Sequence, residues 1–382
     1  MTRTMWPMIV AFADSLAILA YVLGIDPAII QVAALILKFA CSPWLLRQNS
    51  ITVVQLPMLF ALSALCLLSL AFGSVITPAG IAQTLGFLIH LVLTLLLVVE
   101  EFPAYFRSIA SIAAGSAIIY LGFAALGRIE TIWGRYYYFN RIHPNVGAEI
   151  AAAGVLCGAI SLPIRRFLIL MVPMFASAFL MEGRSALLAI ALAVVLRSAR
   201  ELYTTSQSRR TQWWTIMMAP FGVAALVIGT PFVIASMQLD SAYRGIDTGL
   251  GGRGDQWRMA WDAFMDRPLT GQGLGWITAT QDLGAHQFFL YALAEMGILA
   301  LPIFLGMILL GARAFAIHGW KLVAVAPVIV MTFVNDRFIN LNLYPYVLWL
   351  FLFALSARTW NMSSITAVTG HVSWRSKTVA VA

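Results

Sequence analysis

The chain has 382 residues, of which 61% are hydrophobic and 10% charged, and its formal net charge is +8. A soluble domain carries about 25% charged residues, so there is too little charge here to cover a water-facing surface, and lipid must be the main solvent. The basic residues stand between apolar runs, where membrane topology accounts for them, and no nucleic-acid partner is expected. The three cysteines, Cys41, Cys66 and Cys157, lie inside apolar stretches at unrelated spacing. That excludes a disulfide framework and a zinc site.

Arg3 precedes an apolar run from Met5 to Gly24 that contains Asp14 and lacks a small-x-small cleavage site. A span needs about 20 mostly apolar residues, so this run reads as an uncleaved first helix. Further spans are expected at Ala28–Leu46, Thr52–Phe72, Ala79–Val99, Ser108–Gly127, Val146–Leu162, Phe167–Met181 and Ser185–Leu196. They continue at Trp213–Ser236, Gln287–Gly311, Lys321–Val334 and Leu343–Ala357. The fold class is therefore an all-α integral membrane protein of about twelve spans, a single polytopic domain over residues 1–382. The last twenty residues read as a disordered basic tail.

The loop charges give an orientation. With the N-terminus cytoplasmic, the inside loops carry Arg3, Arg47, Arg107, Arg165, Arg166, Arg197, Arg200, Arg209 and Arg210, then Arg313, Lys321, Arg358, Arg375 and Lys377. The short outside loops hold Asp26 alone and no charge from Gly73 to Pro78. This positive-inside bias puts both termini in the cytoplasm. Two longer segments then fall outside, Arg128–Asn145 and Met237–Ala285.

Charges on the outer side need individual reasons. Arg184, in Met-Glu-Gly-Arg-Ser, stands between two apolar runs with almost no loop. It is either an arginine snorkelling to headgroups or an anion-binding arginine at the mouth of the bundle. Gly251–Asp266 reads as an amphipathic helix. At 100° per residue, Arg253, Trp257, Ala260, Trp261 and Phe264 share one face, and Asp255, Arg258, Asp262 and Asp266 the other. The apolar face should lie on the membrane or over the bundle. Arg253 should point inward, and Arg258 should pair with Asp262 in water.

Gly271-Gln-Gly-Leu-Gly275 superficially suggests a phosphate cradle. It lacks the Lys-Ser/Thr of a P-loop and a preceding strand, so close packing of the loop is the better reading. His286 opens the long apolar helix Gln287–Gly311 at the outer boundary. It is either a polar boundary residue or a base, since neutral imidazole accepts protons near neutral pH. Glu295, deeper in the same helix, should be paired or neutral, with a structural or substrate-orienting role. His143 and Asn145 close the other outer loop, where Tyr136, Tyr137 and Tyr138 form an interfacial belt or a sugar platform. Asp14, Lys38 and His90 are intramembrane but isolated in sequence, and Asn335, Asp336 and Arg337 form a short polar turn on the outer side.

Three of these pieces, taken together, look familiar. Gly183-Arg184-Ser-Ala-Leu-Leu resembles the arginine turn of the O-antigen ligase and polymerase superfamily. Gly252-Arg253-x-x-x-Trp257, followed by Arg267-Pro268-Leu-x-Gly271-x-Gly273-x-Gly275, resembles its loop signature. His286-x-Phe-Phe-Leu-x-x-x-x-Glu295-x-Gly297 resembles its histidine helix. The pieces stand in the family's order and cover roughly Val146–Gly311 as an O-antigen ligase-like core, with 237–285 as its periplasmic loop. The family's serine is Gly183 here, and its asparagine after the histidine is Gln287.

The resemblance implies a GT-C-like helical bundle in the bacterial inner membrane. It implies a donor glycan on undecaprenyl diphosphate at the periplasmic face, and no metal or other cofactor. Arg184 and Arg253 then match the diphosphate-binding arginines and His286 the proposed base, with Glu295, Arg258, His143 and Asn145 as secondary candidates. The partners implied are the lipid-linked glycan, the bilayer and other polysaccharide-assembly membrane proteins.

The residues reach a compatible chemistry on their own. The three candidates fall outside by charge parity, where nucleotide sugars are absent, and the sequence has no Asp-x-Asp pair for a metal-bound one. Two cations would neutralise a departing diphosphate while a histidine takes the acceptor proton, with inversion at the anomeric carbon. A polymerase joining repeat units for O-antigen or exopolysaccharide is favoured over a ligase acting on lipid A-core, because the outer loop is modest and no core-binding signature is visible. A non-enzymatic flippase would need charges along a path and a pseudo-repeat, and no repeat is evident.

Overall fold

The computed structural model describes residues 5–23, 27–45, 55–73, 78–98, 101–132, 135–139, 144–181, 183–205, 253–277, 288–319, 322 and 343–356. Among them nearly everything is helical. The helices are α1 (Met5–Leu23), α2 (Pro27–Leu45), α3 (Gln55–Phe72), α4 (Pro78–Val98) and α5 (Phe102–Ala125). Next come α6 (Pro144–Ser161), α7 (Ile164–Leu180), α8 (Arg184–Thr205), α9 (Arg253–Asp266) and α10 (Phe288–Met296). A 3₁₀ turn, Gly297–Leu299, joins α10 to α11 (Ala300–His318), and α12 (Leu343–Ser356) follows. Between α5 and α6 a two-residue hairpin pairs Thr131 with Tyr136 and Ile132 with Arg135.

Among the described residues, four helical stretches are long and apolar enough to cross a membrane: 80–98, 102–125, 144–161 and 288–318. Shorter apolar helices occupy 5–16, 29–40, 57–72 and 346–356. The expected spans Trp213–Ser236 and, apart from Leu322, Lys321–Val334, and the turn Asn335–Arg337, lie outside the described residues. The expected helix Gln287–Gly311 is broken at Gly297, whose φ of +58° belongs to the left-handed region. An L side chain disfavours that region, so glycine is the residue for the break.

Small residues set the packing at the centre. Ala110, Ala113 and Ala117 of α5 are buried together with Ala151, Gly154 and Gly158 of α6. A Cβ on Gly154 would meet Ala113 Cβ at 2.6 Å and Met174 Sδ at 2.5 Å, so α5, α6 and α7 approach to contact distance. Such small-x-x-x-small patterns (Gly154 and Gly158 here) give membrane helices their dispersion contact in place of a hydrophobic driving force.

Asp14, Lys38 and His90, isolated in sequence, meet in the bundle. The Lys38 ammonium and Asp14 carboxylate are directly paired, with side chains 0% and 1% exposed. Lys38 Nζ also donates to His90 Nδ1 at 2.9 Å and Thr94 Oγ1 at 2.7 Å. Asp14 Oδ2 accepts from Tyr105 Oη at 2.8 Å and Thr94 Oγ1 at 3.1 Å. Tyr346 Oη donates towards Thr94 Oγ1 at 2.7 Å and the His90 carbonyl at 2.9 Å. An ammonium has three N–H bonds, and four acceptors surround it, the fourth being Tyr346 Oη at 3.2 Å. A charge pair in lipid surroundings survives only with such complete pairing. The cluster thus ties α1, α2, α4, α5 and α12 together by polar contacts rather than by packing alone.

Candidate functional site: the α9 helix and its glycine turn

The α9 helix starts at Arg253, with Asp255 in its first turn where the positive end of the helix dipole favours a carboxylate. Its buried stripe is Ala260 and Ala263, flanked by half-buried Gln256, Trp257 and Phe264. The alanines pack with Ile277 against Tyr291 and Ala294 of α10. The apolar face therefore lies over the bundle. Trp261, expected on that face, is instead 46% exposed. The reason is local: α9 meets α10 through its two alanines, where backbones approach closest, and that turns the stripe away from Trp261. Arg258 faces solvent as expected, but among the described residues it makes no ion pair with Asp262.

The glycine turn after α9 is a docking device. Gly271, Gly273 and Gly275 have φ of +68°, +107° and +90°. Gly271 N–H donates back to the Arg267 carbonyl at 2.9 Å, and the amides of Gln272, Gly273, Gly275 and Ile277 face α10. Gln272 N–H donates to the Ala294 carbonyl at 2.8 Å and Gly273 N–H to the Glu295 carbonyl at 2.9 Å. Gly275 N–H and Ile277 N–H both donate to Glu295 Oε1, at 3.0 and 3.2 Å. Ile298 N–H returns to the Pro268 carbonyl at 2.8 Å. A Cβ at Gly271 would lie 2.3 Å from the Glu295 carbonyl carbon. These main-chain donors are taken by α10, so the turn packs on that helix instead of cradling a phosphate. Gln272 ties it back to α9, donating from Nε2 to Asp266 Oδ2 at 2.9 Å and to the Ala263 carbonyl at 3.1 Å. That carbonyl is one of the four that a helix end leaves free.

Glu295 is therefore buried and paired, as a carboxylate at such a site must be. Sequence reasoning missed its partners in α3. Ser69 Oγ donates to the Glu295 carbonyl at 3.2 Å, and a Cβ on Gly73 would meet Gly273 Cα at 2.4 Å. The one available signal was a glycine closing an apolar run.

Arg184 opens α8 directly after Gly183, and a Cβ on Gly183 would meet Ala148 Cβ at 2.3 Å. The departure from the family's serine thus has a steric basis, because α6 leaves no room for a side chain there. Asn145, half-buried in the first turn of α6, lies one turn before Ala148 and so at the same end of the bundle as Arg184. Tyr138 is no sugar platform. It is buried against Tyr120 and Phe139, with ring centroids 5.1 and 4.6 Å away. Burial pushes its phenol above the ordinary value. Tyr136 and Tyr137 are half-buried. His143, His286 and Gln287 lie outside the described residues, as do the side chains of Arg184 and Arg253.

A family model described as O-antigen ligase matches residues 169–305. That stretch belongs to the O-antigen ligase family. The O-antigen ligase segment takes in most of α7, all of α8, α9 with its glycine turn, α10 and the start of α11. Arg184, Arg253, Arg258, His286 and Glu295 all fall within it, and His143 and Asn145 precede it. Over residues 169–305 the chain is therefore similar to the ligase and polymerase superfamily, whose members are glycosyltransferase-like, and its long apolar helices are those of a membrane protein. No curated protein matches the chain.

Proposed function

We propose that this protein is a lipid-linked glycan transferase at the periplasmic face of the bacterial inner membrane, polymerising undecaprenyl-diphosphate-linked repeat units. The observation that carries the reading is the O-antigen ligase match, which holds Arg184, Arg253 and His286 in one segment. The positive-inside bias supports the sidedness, with both termini cytoplasmic.

In the proposed reaction an acceptor hydroxyl attacks the anomeric carbon of the donor. The new C–O bond forms as the bond from that carbon to the diphosphate breaks, and undecaprenyl diphosphate leaves with the electron pair. His286 takes the hydroxyl proton. Arg184 and Arg253 neutralise the charge that builds on the leaving group. One displacement inverts the anomeric centre, and no metal takes part. Glu295 contributes by holding the glycine turn, which fixes the helix that begins at Arg253 against the helix that follows His286.

The test is purified protein in liposomes with a lipid-linked oligosaccharide. A ladder of lipid-linked products supports polymerisation. Transfer to added lipid A-core alone makes the protein a ligase, and turnover with neither acceptor removes the reading.

A further inference from the structure

The exposed surface of α9 is not uniformly polar. Asp255, Asp262 and Asp266, spaced i, i+7 and i+11, form one solvent stripe. Beside it Arg258, Trp261 and Met265, spaced i, i+3 and i+7, form a second. Trp261 is 46% exposed and Met265 58%, and Leu269 one step further is 70% exposed. The helix thus carries alanines on α10, carboxylates in solvent with Met259 (42% exposed) on their far side, and, on the side towards Leu269, an apolar flank edged by a cation.

The flank runs into the lipid-facing surface of the bundle. Ile298 N–H binds the Pro268 carbonyl, and a Cβ on Gly297 would touch the Leu269 carbonyl carbon at 2.7 Å. Leu269 therefore stands beside Ile298. Ile298 is the first of an exposed apolar row on the following helix, continuing through Leu301, Leu305 and Ile308 to Phe315. From Ile298 to Phe315 that row is about 26 Å long at 1.5 Å per residue, close to the ~30 Å hydrocarbon core of a bilayer. Ile298 accordingly marks the hydrocarbon boundary on the loop side. The exposed Phe72, last residue of α3, ends next to the glycine that touches Gly273, and marks the same level.

We infer that Trp261, Met265 and Leu269 seat α9 in the outer-leaflet interface of the bilayer, with Arg258 at the headgroup phosphates. The occupant is lipid rather than a protein partner, because the flank is continuous with the lipid-facing row and segregated from the carboxylates. Tryptophan favours the interface, where its ring is apolar and its N–H finds water, and an arginine beside it reaches the phosphates by snorkelling. The inference places Arg258 on a lipid headgroup instead of on Asp262. It also puts Glu295, three residues before Ile298, just outside the hydrocarbon and not deep within it. It stands whether or not the chain is a transferase.

The experiment uses the full chain in phosphatidylethanolamine/phosphatidylglycerol liposomes, with Cys41, Cys66 and Cys157 replaced by alanine. Nitroxides are attached to cysteines introduced one at a time at Trp261, Met265, Leu269, Asp255 and Asp262, all exposed positions. The ratio of oxygen to nickel-chelate collision rate should be about threefold or more higher at the three apolar sites than at the two aspartates. Equal ratios overturn the inference. Low collision with both reagents at the apolar sites, the pattern of a protein-covered face, overturns it too. Should a labelled variant fail to fold, brominated-lipid quenching of wild type against Trp261→Phe reads the same contact. With eleven other tryptophans present, a quenchable wild-type-minus-variant difference signal supports the inference, and a difference signal that bromolipid leaves unquenched opposes it.

Discussion

Glu295 and Gly275 are joined by a 3.0 Å hydrogen bond from the glycine main-chain N–H to the carboxylate, and the same oxygen accepts the Ile277 N–H. Replacing Glu295 with alanine strands the buried Ile277 donor, at about 1–3 kcal/mol, and the half-buried Gly275 donor at less. Gln retains one acceptor oxygen of the same reach. Glu295→Ala should lower the melting temperature in detergent and the transfer rate together, and Glu295→Gln should keep most of both. If Gln is as inactive as Ala while melting normally, the carboxylate has a chemical role that the clasp does not describe.

The glycine turn makes a second prediction. Gly271 has a left-handed φ and no space for a Cβ, and Gly73 has no space either. Gly271→Ala and Gly73→Ala should each cost at least about 1–3 kcal/mol, the range for strain of this kind. Gly122, inside α5 with nothing within 4 Å of its Cβ position, is the control. Gly122→Ala should be neutral or stabilise by up to about 1 kcal/mol. Thermal unfolding of the three variants in one detergent decides the matter.

For the Lys38–Asp14 pair, removing one partner differs from removing both. Lys38→Met leaves Asp14 buried without its cation, at a cost of about 3–5 kcal/mol. The double variant Asp14→Leu/Lys38→Met carries no unpaired charge and should recover much of that loss. A double variant less stable than Lys38→Met would mean that the ion pair itself is a net source of stability.

The proposed chemistry predicts a graded series at the loop face. Arg184→Ala and Arg253→Ala should abolish transfer at normal protein level, and Arg258→Ala should be mild. His286→Gln should lose on the order of 10²–10⁴ in turnover, the usual range for general base catalysis, with donor affinity little changed. Rate and donor affinity are measured in one preparation. Near-normal turnover takes the histidine out of the mechanism, and lost donor binding in folded protein makes it a binding residue.

Much of this was legible in the sequence, because apolar length and period are local properties. The amphipathic helix expected at Gly251–Asp266 is found at Arg253–Asp266. The packing role of the glycine turn followed from what that turn lacks. Contacts between distant segments were not legible. Asp14, Lys38 and His90 lie on three helices, with 24 residues between the first pair and 52 between the second. No spacing rule connects them. A helical wheel groups Trp261 with Ala260 on a face for membrane or bundle, but does not give the angle at which α10 meets the helix, which buries Ala260 and leaves Trp261 exposed. The break at Gly297 follows Glu295 by two residues, but neither residue shows in sequence that the Pro268 carbonyl accepts the next amide and that the glycine turn packs against Gly297.

The Lys38–Tyr346 contact spans 308 residues of chain. This has a consequence for biogenesis. Insertion proceeds from the N-terminus, so Asp14, Lys38 and His90 enter the bilayer long before Tyr346 is synthesised. The His90 carbonyl and Thr94 hydroxyl wait through nearly the whole of translation for the phenol that completes them. The nascent bundle therefore carries an open polar seam, and α12 seals it as it enters. Arg313 Nε and His318 Nε2 then bond the Ser356 and Leu355 carbonyls at the far end of that helix, at 2.8 and 3.0 Å. The last described helix acts as a keystone, locked at both ends, and a chain that stops ahead of Tyr346 leaves the seam unsealed.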